Sequence, residues 1–84
     1  MEQPALILVV DDEPDIRRII RILLESRRYL VAEAPNGRLA VDYVREHPNV
    51  DLVMLDIMMP SLDGVSAARQ IRELTAAPIL FLTA

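Results

Sequence analysis

The segment LILVVDDEPD, residues 6–15, decides the fold class because it joins an uninterrupted apolar run to a cluster of acids. Leu6–Val10 is apolar throughout and β-branched at three of its five positions, which is typical of a strand buried on both faces. Asp11 and Asp12 follow directly, and Pro14 then suits the first turn of a helix. The segment therefore predicts a strand, an acidic loop and a helix, in that order.

Helical patterns recur between the strands. Apolar residues repeat at helical spacing from Ile16 to Leu24, so we expect this stripe to lie in the core and the arginines between its members to be solvated. Asn36 is a suitable N-cap for a second helix. A third helix is expected to turn three apolar residues inward: Val65, Ala68 and Ile71.

Further strands are predicted at 29–34, 51–55 and 79–83, which gives the order βαβαβαβ. Alternation with short connections and nearly continuous apolar strands predicts the α/β class, a parallel sheet with helices packed on it. Since no linker or repeat interrupts the chain, we expect one domain over residues 1–84. In such sheets, ligands bind outside the carboxyl ends of the strands.

Composition excludes several functional classes. The formal net charge is −4, whereas a nucleic-acid surface needs clustered cations, so we expect no nucleic acid to bind this segment. The sequence contains no cysteine, and therefore no disulfide or thiolate metal site. It also has no apolar span of about 18 residues that could cross a membrane. A cytoplasmic location is the expectation.

Acidic residues follow the first and third predicted strands. If these strands are neighbours, Asp11, Asp12 and Asp56 meet at one edge of the sheet, with the hydroxyl of Thr83 beside them. Three carboxylates at such range repel one another unless a cation joins them. A site made only of oxygen ligands suits a hard divalent ion, so the sequence predicts Mg²⁺ here.

Each acid also has a simpler interpretation. Acids that precede a helix are commonly caps or partners of the helix dipole, and a single Asp after a strand is commonly a turn residue. Similarly, Asp63-Gly64 fits an ordinary helix start, and His47 fits a solvated residue at a helix end. The coincidence of several acids at strand ends favours the metal site.

These residues also carry a family resemblance. The chain resembles the receiver domain of bacterial two-component response regulators, and the match runs from about Leu6 to the last residue. The matching motifs are VVDDEP at 9–14, NG at 36–37, DLVMLDIMMPSLDG at 51–64 and PILFLTA at 78–84. The resemblance implies a three-layer, flavodoxin-like parallel sheet with strand order 2-1-3-4.

The resemblance also implies a role for individual residues. Asp56 would be the phospho-acceptor, taking a phosphoryl group from a phosphohistidine of a sensor histidine kinase, and the chain would be a signalling module rather than an enzyme. Thr83 would be the switch residue, and Pro60 and Gly64 would shape the loop after the acceptor. The implied Mg²⁺ ligands are Asp11, Asp12, Asp56 and the backbone carbonyl of Met58.

The sequence departs from the family pattern at its end. The fifth strand and the last two helices of a receiver are missing, and with them a lysine that pairs with the phosphoryl group; these 84 residues contain no lysine. We therefore expect phosphorylation to be slow or lost. The fourth strand would be an unpaired apolar edge, so we expect self-association through it or by exchange of elements.

Two other functions are open. One is a receiver-like binding or assembly module that self-associates without phosphorylation, which the missing lysine and the open edge favour. The other is a Mg²⁺-dependent phosphatase with an aspartate nucleophile. Such phosphatases commonly place the nucleophile and the acid together as D-x-D after one strand, whereas Asp11 and Asp12 are adjacent and Asp56 is remote.

Overall fold

The computed structural model describes residues 3–59 and 64–82. The described elements alternate as the sequence predicts, although β2 and β3 each begin one residue later than expected and β3 includes Asp56. Their bounds are β1 Leu6–Val10, α1 Pro14–Ser26, β2 Leu30–Ala34, α2 Gly37–Glu46, β3 Leu52–Asp56, α3 Gly64–Leu74 and β4 Ile79–Leu82.

All four described strands run parallel, in the order β2-β1-β3-β4. This arrangement confirms the predicted α/β class and the predicted strand order. β1 lies between β2 and β3, with Val10 beside Ala34 on one side and beside Leu55 on the other. Helices contact β1 on both faces of the sheet, and its residues 7–10 are all buried, which explains why its sequence is apolar without interruption.

The main core lies between the sheet and the pair α2 and α3. Leu8, Val53 and Leu55 point from the sheet into this layer and are fully buried. Four fully buried helix residues pack against them: Ala40 and Val44 of α2, and Ala67 and Ile71 of α3. Small residues on the helices let them approach the sheet closely, which suits an aliphatic core with few aromatic residues.

Helix α3 is rotated from the orientation that the sequence predicts. Ile71 points inward as expected, but Val65 is 47% exposed and Ala68 is only partly buried. The fully inward positions are Gly64, Ala67 and Ile71. The prediction for Val65 is therefore wrong, because Gly64 and Ala67 share the inward face with Ile71 and Val65 lies outside it.

The prediction that the α1 stripe belongs to the core is also wrong. No residue of α1 is buried, and Ile19 and Leu23 are 55% and 61% exposed. Arg17 and Arg21 pair with Glu33 of β2, which turns the charged flank of α1 over β2. Helical spacing then places Ile19 and Leu23 on the opposite flank of the helix. No other helix in the described part of the chain packs on this face of the sheet.

Both predicted helix starts are confirmed. α1 begins at Pro14, and α2 begins after Asn36, whose Oδ1 accepts a hydrogen bond of 2.9 Å from the backbone N–H of Leu39.

Within residues 3–59 and 64–82, no helix combines the length and the apolar character needed to span a membrane.

Candidate metal and phosphoryl site

Three acids converge at the carboxyl edge of the sheet. β1 and β3 are parallel neighbours, so the residues that follow Val10 and Leu55 emerge side by side. Each of Asp11, Asp12 and Asp56 offers a carboxylate oxygen, and these three oxygens lie within 4.8 Å of one another. The structure therefore brings Asp56 beside two adjacent acids that precede it by 45 and 44 residues in the sequence.

Asp11 is held on several sides and is 7% exposed. Its backbone N–H donates to the carbonyl of Ala34 at 3.2 Å, and its Oδ1 accepts from the backbone N–H of Glu13 at 2.9 Å. Burial raises the pKa of the Asp11 carboxyl above its ordinary value of 3.8. The charges of Asp56 and Asp12 raise this pKa further, whereas the hydrogen bond from Glu13 lowers it.

Asp56 is the last residue of β3 and is half-buried. Its Oδ1 accepts a hydrogen bond of 3.0 Å from the backbone N–H of Met58, which fixes the carboxylate over the loop that follows. The side chain of Met58 is 78% exposed, so this residue contributes to the site through its backbone.

Gly64 fixes the far end of that loop. Its N–H donates to the carbonyl of Ile57 at 3.0 Å, which brings the start of α3 against the backbone of the acidic strand end. A Cβ atom at position 64 would lie 2.3 Å from the carbonyl oxygen of Asp56 and 2.7 Å from the Cα of Ile57. Only glycine allows this approach, so Gly64 does more than begin α3.

Arg17 also belongs to this region, although its position between the apolar residues of α1 did not predict it. The prediction that it is solvated is wrong: its side chain is 16% exposed. Nη1 donates to the carbonyl of Asp11 at 2.7 Å, and Nε donates to Glu33 at 3.1 Å. The available signal was Glu33 itself, because an acid within an otherwise apolar strand needs a cationic partner.

The described residues fit a hard divalent cation. Glu13 occupies the N-cap of α1 but makes no hydrogen bond of the capping type, and Asp11 directs its Oδ1 to the Glu13 N–H outside the helix. The cap interpretation therefore does not explain them. The turn interpretation accounts for one oxygen each of Asp11 and Asp56, which accept a hydrogen bond from the backbone N–H two residues on. Carboxylate oxygens are hard ligands of the kind that suit Mg²⁺, and the cluster offers three of them to one ion.

Two predicted site residues, Pro60 and Thr83, lie outside the described residues. The roles assigned to the others, including the carbonyl of Met58 as a ligand, stay predictions.

Comparison with known proteins gives a consistent family. The model of the response regulator receiver domain matches residues 7–84. The transcriptional regulatory protein ResD of Bacillus subtilis is 53% identical over 78 residues, which cover 93% of this chain and 32% of ResD. SrrA of Staphylococcus aureus is 41% identical over the same shares. The chain thus spans about a third of the length of these curated relatives.

Solved structures agree with this comparison. The response regulator TrrA of Thermotoga maritima, in complex with Mg²⁺ and BeF, is 42% identical with a TM-score of 0.87, over 95% of this chain and 70% of TrrA. A receiver domain protein of Clostridium thermocellum is 34% identical with a TM-score of 0.89, over 94% and 64%. By its motifs, its fold and these relatives, the chain belongs to the response regulator receiver domain family.

Proposed function

We propose that this chain accepts a phosphoryl group on Asp56 from a phosphohistidine of a sensor histidine kinase in the cytoplasm, with Mg²⁺ bound at the acid cluster. One observation carries the proposal: Asp11, Asp12 and Asp56 place their carboxylate oxygens within 4.8 Å of one another at the carboxyl edge of the sheet. Asp11, Asp12, Asp56 and the carbonyl of Met58 would hold the ion. Bound there, Mg²⁺ would offset the negative charge on the carboxylate and the transferring phosphoryl oxygens.

The residues of the chain orient the reaction. Asp56 Oδ1 is held by the N–H of Met58, so Oδ2 is the atom that we propose as the nucleophile. Oδ2 forms a bond to phosphorus while the bond from phosphorus to the histidine nitrogen breaks, and the electron pair of that bond leaves with the imidazole. The product is an acyl phosphate on Asp56, with the hydroxyl of Thr83 proposed as a donor to it.

A small-molecule phosphodonor tests this proposal. We expect the chain incubated with acetyl phosphate and Mg²⁺ to gain the mass of one phosphoryl group, and Asp56→Asn to gain none. Asp42→Asn removes an exposed acid of α2 and serves as the matched control, which should gain the group as the wild type does. An adduct that persists in Asp56→Asn, or that forms equally with EDTA present, would contradict the proposal.

We further propose that phosphorylation of this 84-residue chain is slow. None of its residues is lysine, so no lysine ammonium within it can pair with the phosphoryl oxygens as they gain charge. The control for this rate is a full-length relative treated with the same donor. Equal rates for the two proteins would contradict this expectation.

A second candidate function is assembly through β4. In the described part of the chain β4 pairs only with β3, so its other edge offers unpaired backbone groups. Leu80 is 51% exposed and Phe81 is 43% exposed, and these neighbours point to opposite faces of the sheet. The strand contains no charged residue. An uncharged edge with apolar residues on both faces favours pairing with a strand of a second copy.

A further inference from the structure

We propose that Arg17 is a positioning residue for the metal site: it holds the backbone of Asp11 so that the acids stay converged. The inference rests on the proposed Mg²⁺-dependent function and adds a residue that is not itself a ligand. Its basis is the geometry of one side chain that reaches from α1 to the loop after β1.

Arg17 contacts Asp11 through a direct hydrogen bond. Nη1 of Arg17 donates to the Asp11 carbonyl at 2.7 Å, a short distance that is typical of a bond made by a charged donor. The N–H of Asp11 already donates to Ala34, so both backbone polar groups of this residue are held. The carbonyl belongs to the peptide that joins Asp11 to Asp12. Fixing that peptide limits the directions in which both carboxylates can project.

Arg17 is in turn held from the other side. Its Nε donates to Glu33 at 3.1 Å, and the Glu33 carboxylate also accepts from Arg21. Glu33 lies on β2 beside Val9, two residues before Asp11, so the anchor belongs to the rigid sheet. The planar guanidinium spans from this anchor to the Asp11 carbonyl, which an ammonium on a flexible stem does not reproduce.

The charge of Arg17 and its hydrogen bond to Asp11 have opposite effects on the affinity for Mg²⁺. A fixed cation near three carboxylates repels Mg²⁺, so removal of the Arg17 charge alone would strengthen binding. Loss of the hydrogen bond from Arg17 to the Asp11 carbonyl lets the carboxylates separate and weakens Mg²⁺ binding. Loss of an outer partner that orients metal ligands typically lowers metal affinity by about tenfold or more. The sign of the change therefore separates a positioning role from a simple electrostatic one.

Two substitutions at position 17 test the inference. Arg17→Lys keeps the charge without the forked geometry, whereas Arg17→Met removes both. The affinity for MgCl2 is measured from the backbone amide NMR shifts of residues near the site, after the free energy of unfolding of each variant has been determined. We expect wild type to bind most tightly, Arg17→Met about tenfold more weakly, and Arg17→Lys at least as weakly as Arg17→Met.

Two neighbouring arginines provide matched controls. Arg18→Lys changes an exposed arginine of the same helix, and Arg21→Lys weakens an ion pair to the same Glu33 without touching the Asp11 carbonyl. We expect both controls to bind Mg²⁺ within about twofold of wild type. Arg21→Lys also shows what a loss of stability from the Glu33 pairing does to affinity by itself.

The outcomes are distinguishable. If wild type binds no Mg²⁺ at the acid cluster, the proposed function fails. If wild type does bind Mg²⁺, three results would contradict the positioning role of Arg17. They are an Arg17→Lys affinity equal to that of wild type, tighter binding by Arg17→Met, and a loss of affinity in Arg21→Lys as large as that in Arg17→Lys. Should Arg17→Met not fold, the comparison of Arg17→Lys with Arg21→Lys decides the question, since both keep the net charge.

Discussion

Asp11 carries a negative charge in surroundings that oppose it. The residue is 7% exposed, and its carboxylate shares a site with those of Asp12 and Asp56. Burial and these two neighbours raise its pKa above 3.8. A raised pKa in the folded chain means that the folded state binds more protons than the unfolded state between the two pKa values. The free energy of unfolding contributed by Asp11 therefore falls as pH rises through that interval.

We predict that Asp11→Asn increases the free energy of unfolding at neutral pH without Mg²⁺, by about 1 kcal/mol, the scale of one charge pair at such range. The amide oxygen of the variant can still accept the Glu13 N–H, so the loop keeps its hydrogen bond. The gain in the free energy of unfolding should vanish at pH values below about 3.8, where the wild-type carboxyl is protonated and is as uncharged as the amide of the variant.

Urea unfolding as a function of pH measures this difference. Asp15→Asn, which changes an acid in the first turn of α1 outside the cluster, is the control and should give no gain. Saturating Mg²⁺ should reverse the order, because the ion stabilises the wild type and not Asp11→Asn. An Asp11→Asn variant that is less stable than wild type without Mg²⁺ would contradict the account of mutual repulsion.

Gly64 gives a second prediction at the residue scale. We expect Gly64→Ala to lower the free energy of unfolding by roughly 1–3 kcal/mol, because its Cβ meets the Asp56 carbonyl oxygen at 2.3 Å and backbone must move. Because that movement displaces Asp56, Mg²⁺ affinity should fall too. Val65→Ala, at the next and more exposed position of α3, should change affinity little. Unchanged stability and affinity in Gly64→Ala would refute the close-approach argument.

At the scale of single elements, α1 ends in an unusual backbone conformation. Arg28 has a φ of 69°, in the left-handed region that favours glycine, and its N–H donates to the carbonyl of Glu25 at 2.9 Å. We predict that Arg28→Gly raises the free energy of unfolding by about 0.5–1 kcal/mol by removing the strain of a Cβ in that region. Thermal unfolding followed by circular dichroism measures the change.

The neighbouring arginine provides the control for this prediction. Arg27 has a φ of −98°, where a side chain causes no strain, so Arg27→Gly should lower stability through the added freedom of the unfolded chain. The opposite signs expected for two adjacent arginines isolate the backbone effect from the loss of charge. Equal effects would show that φ at position 28 does not limit the stability of α1.

The whole molecule presents an asymmetric surface. One face of the sheet is covered by α2 and α3, whereas the other carries α1 with its apolar flank exposed. An open groove lies beside β4. Its apolar lining includes Val65, Ala68 and Phe81, and its polar lining consists of Arg69, Arg72 and Glu73. Exposed apolar area of this kind, continuous with a strand edge, favours association.

We predict that the 84-residue chain self-associates and that Leu80→Lys suppresses this association, because a charge on the edge strand opposes pairing. Sedimentation velocity over a range of concentrations measures it. Ile22→Lys introduces the same charge at a residue of α1 that is 59% exposed, so it should associate as wild type does. A folded wild-type monomer at every concentration would sink the prediction of assembly through β4.

The sequence alone determined the order of elements and the chemistry of the strand ends. Apolar runs and helical spacing depend on neighbouring residues, so β1, the Pro14 start of α1 and the Asn36 cap could be located from local pattern. The convergence of the acids was predictable once the family resemblance implied the order 2-1-3-4, in which β1 and β3 are neighbours. These features follow from rules that act along the chain or between whole strands.

The tertiary structure decided which way each helix faces. The stripe of α1 has the pattern of a core helix, yet Ile19 and Leu23 are exposed because Arg17 and Arg21 bind Glu33 and fix the rotation of the helix. The support that Arg17 gives to Asp11 depends on the same contact between remote segments. Periodicity identifies an apolar face, but the burial of that face depends on what packs against it, and only the folded chain supplies that information.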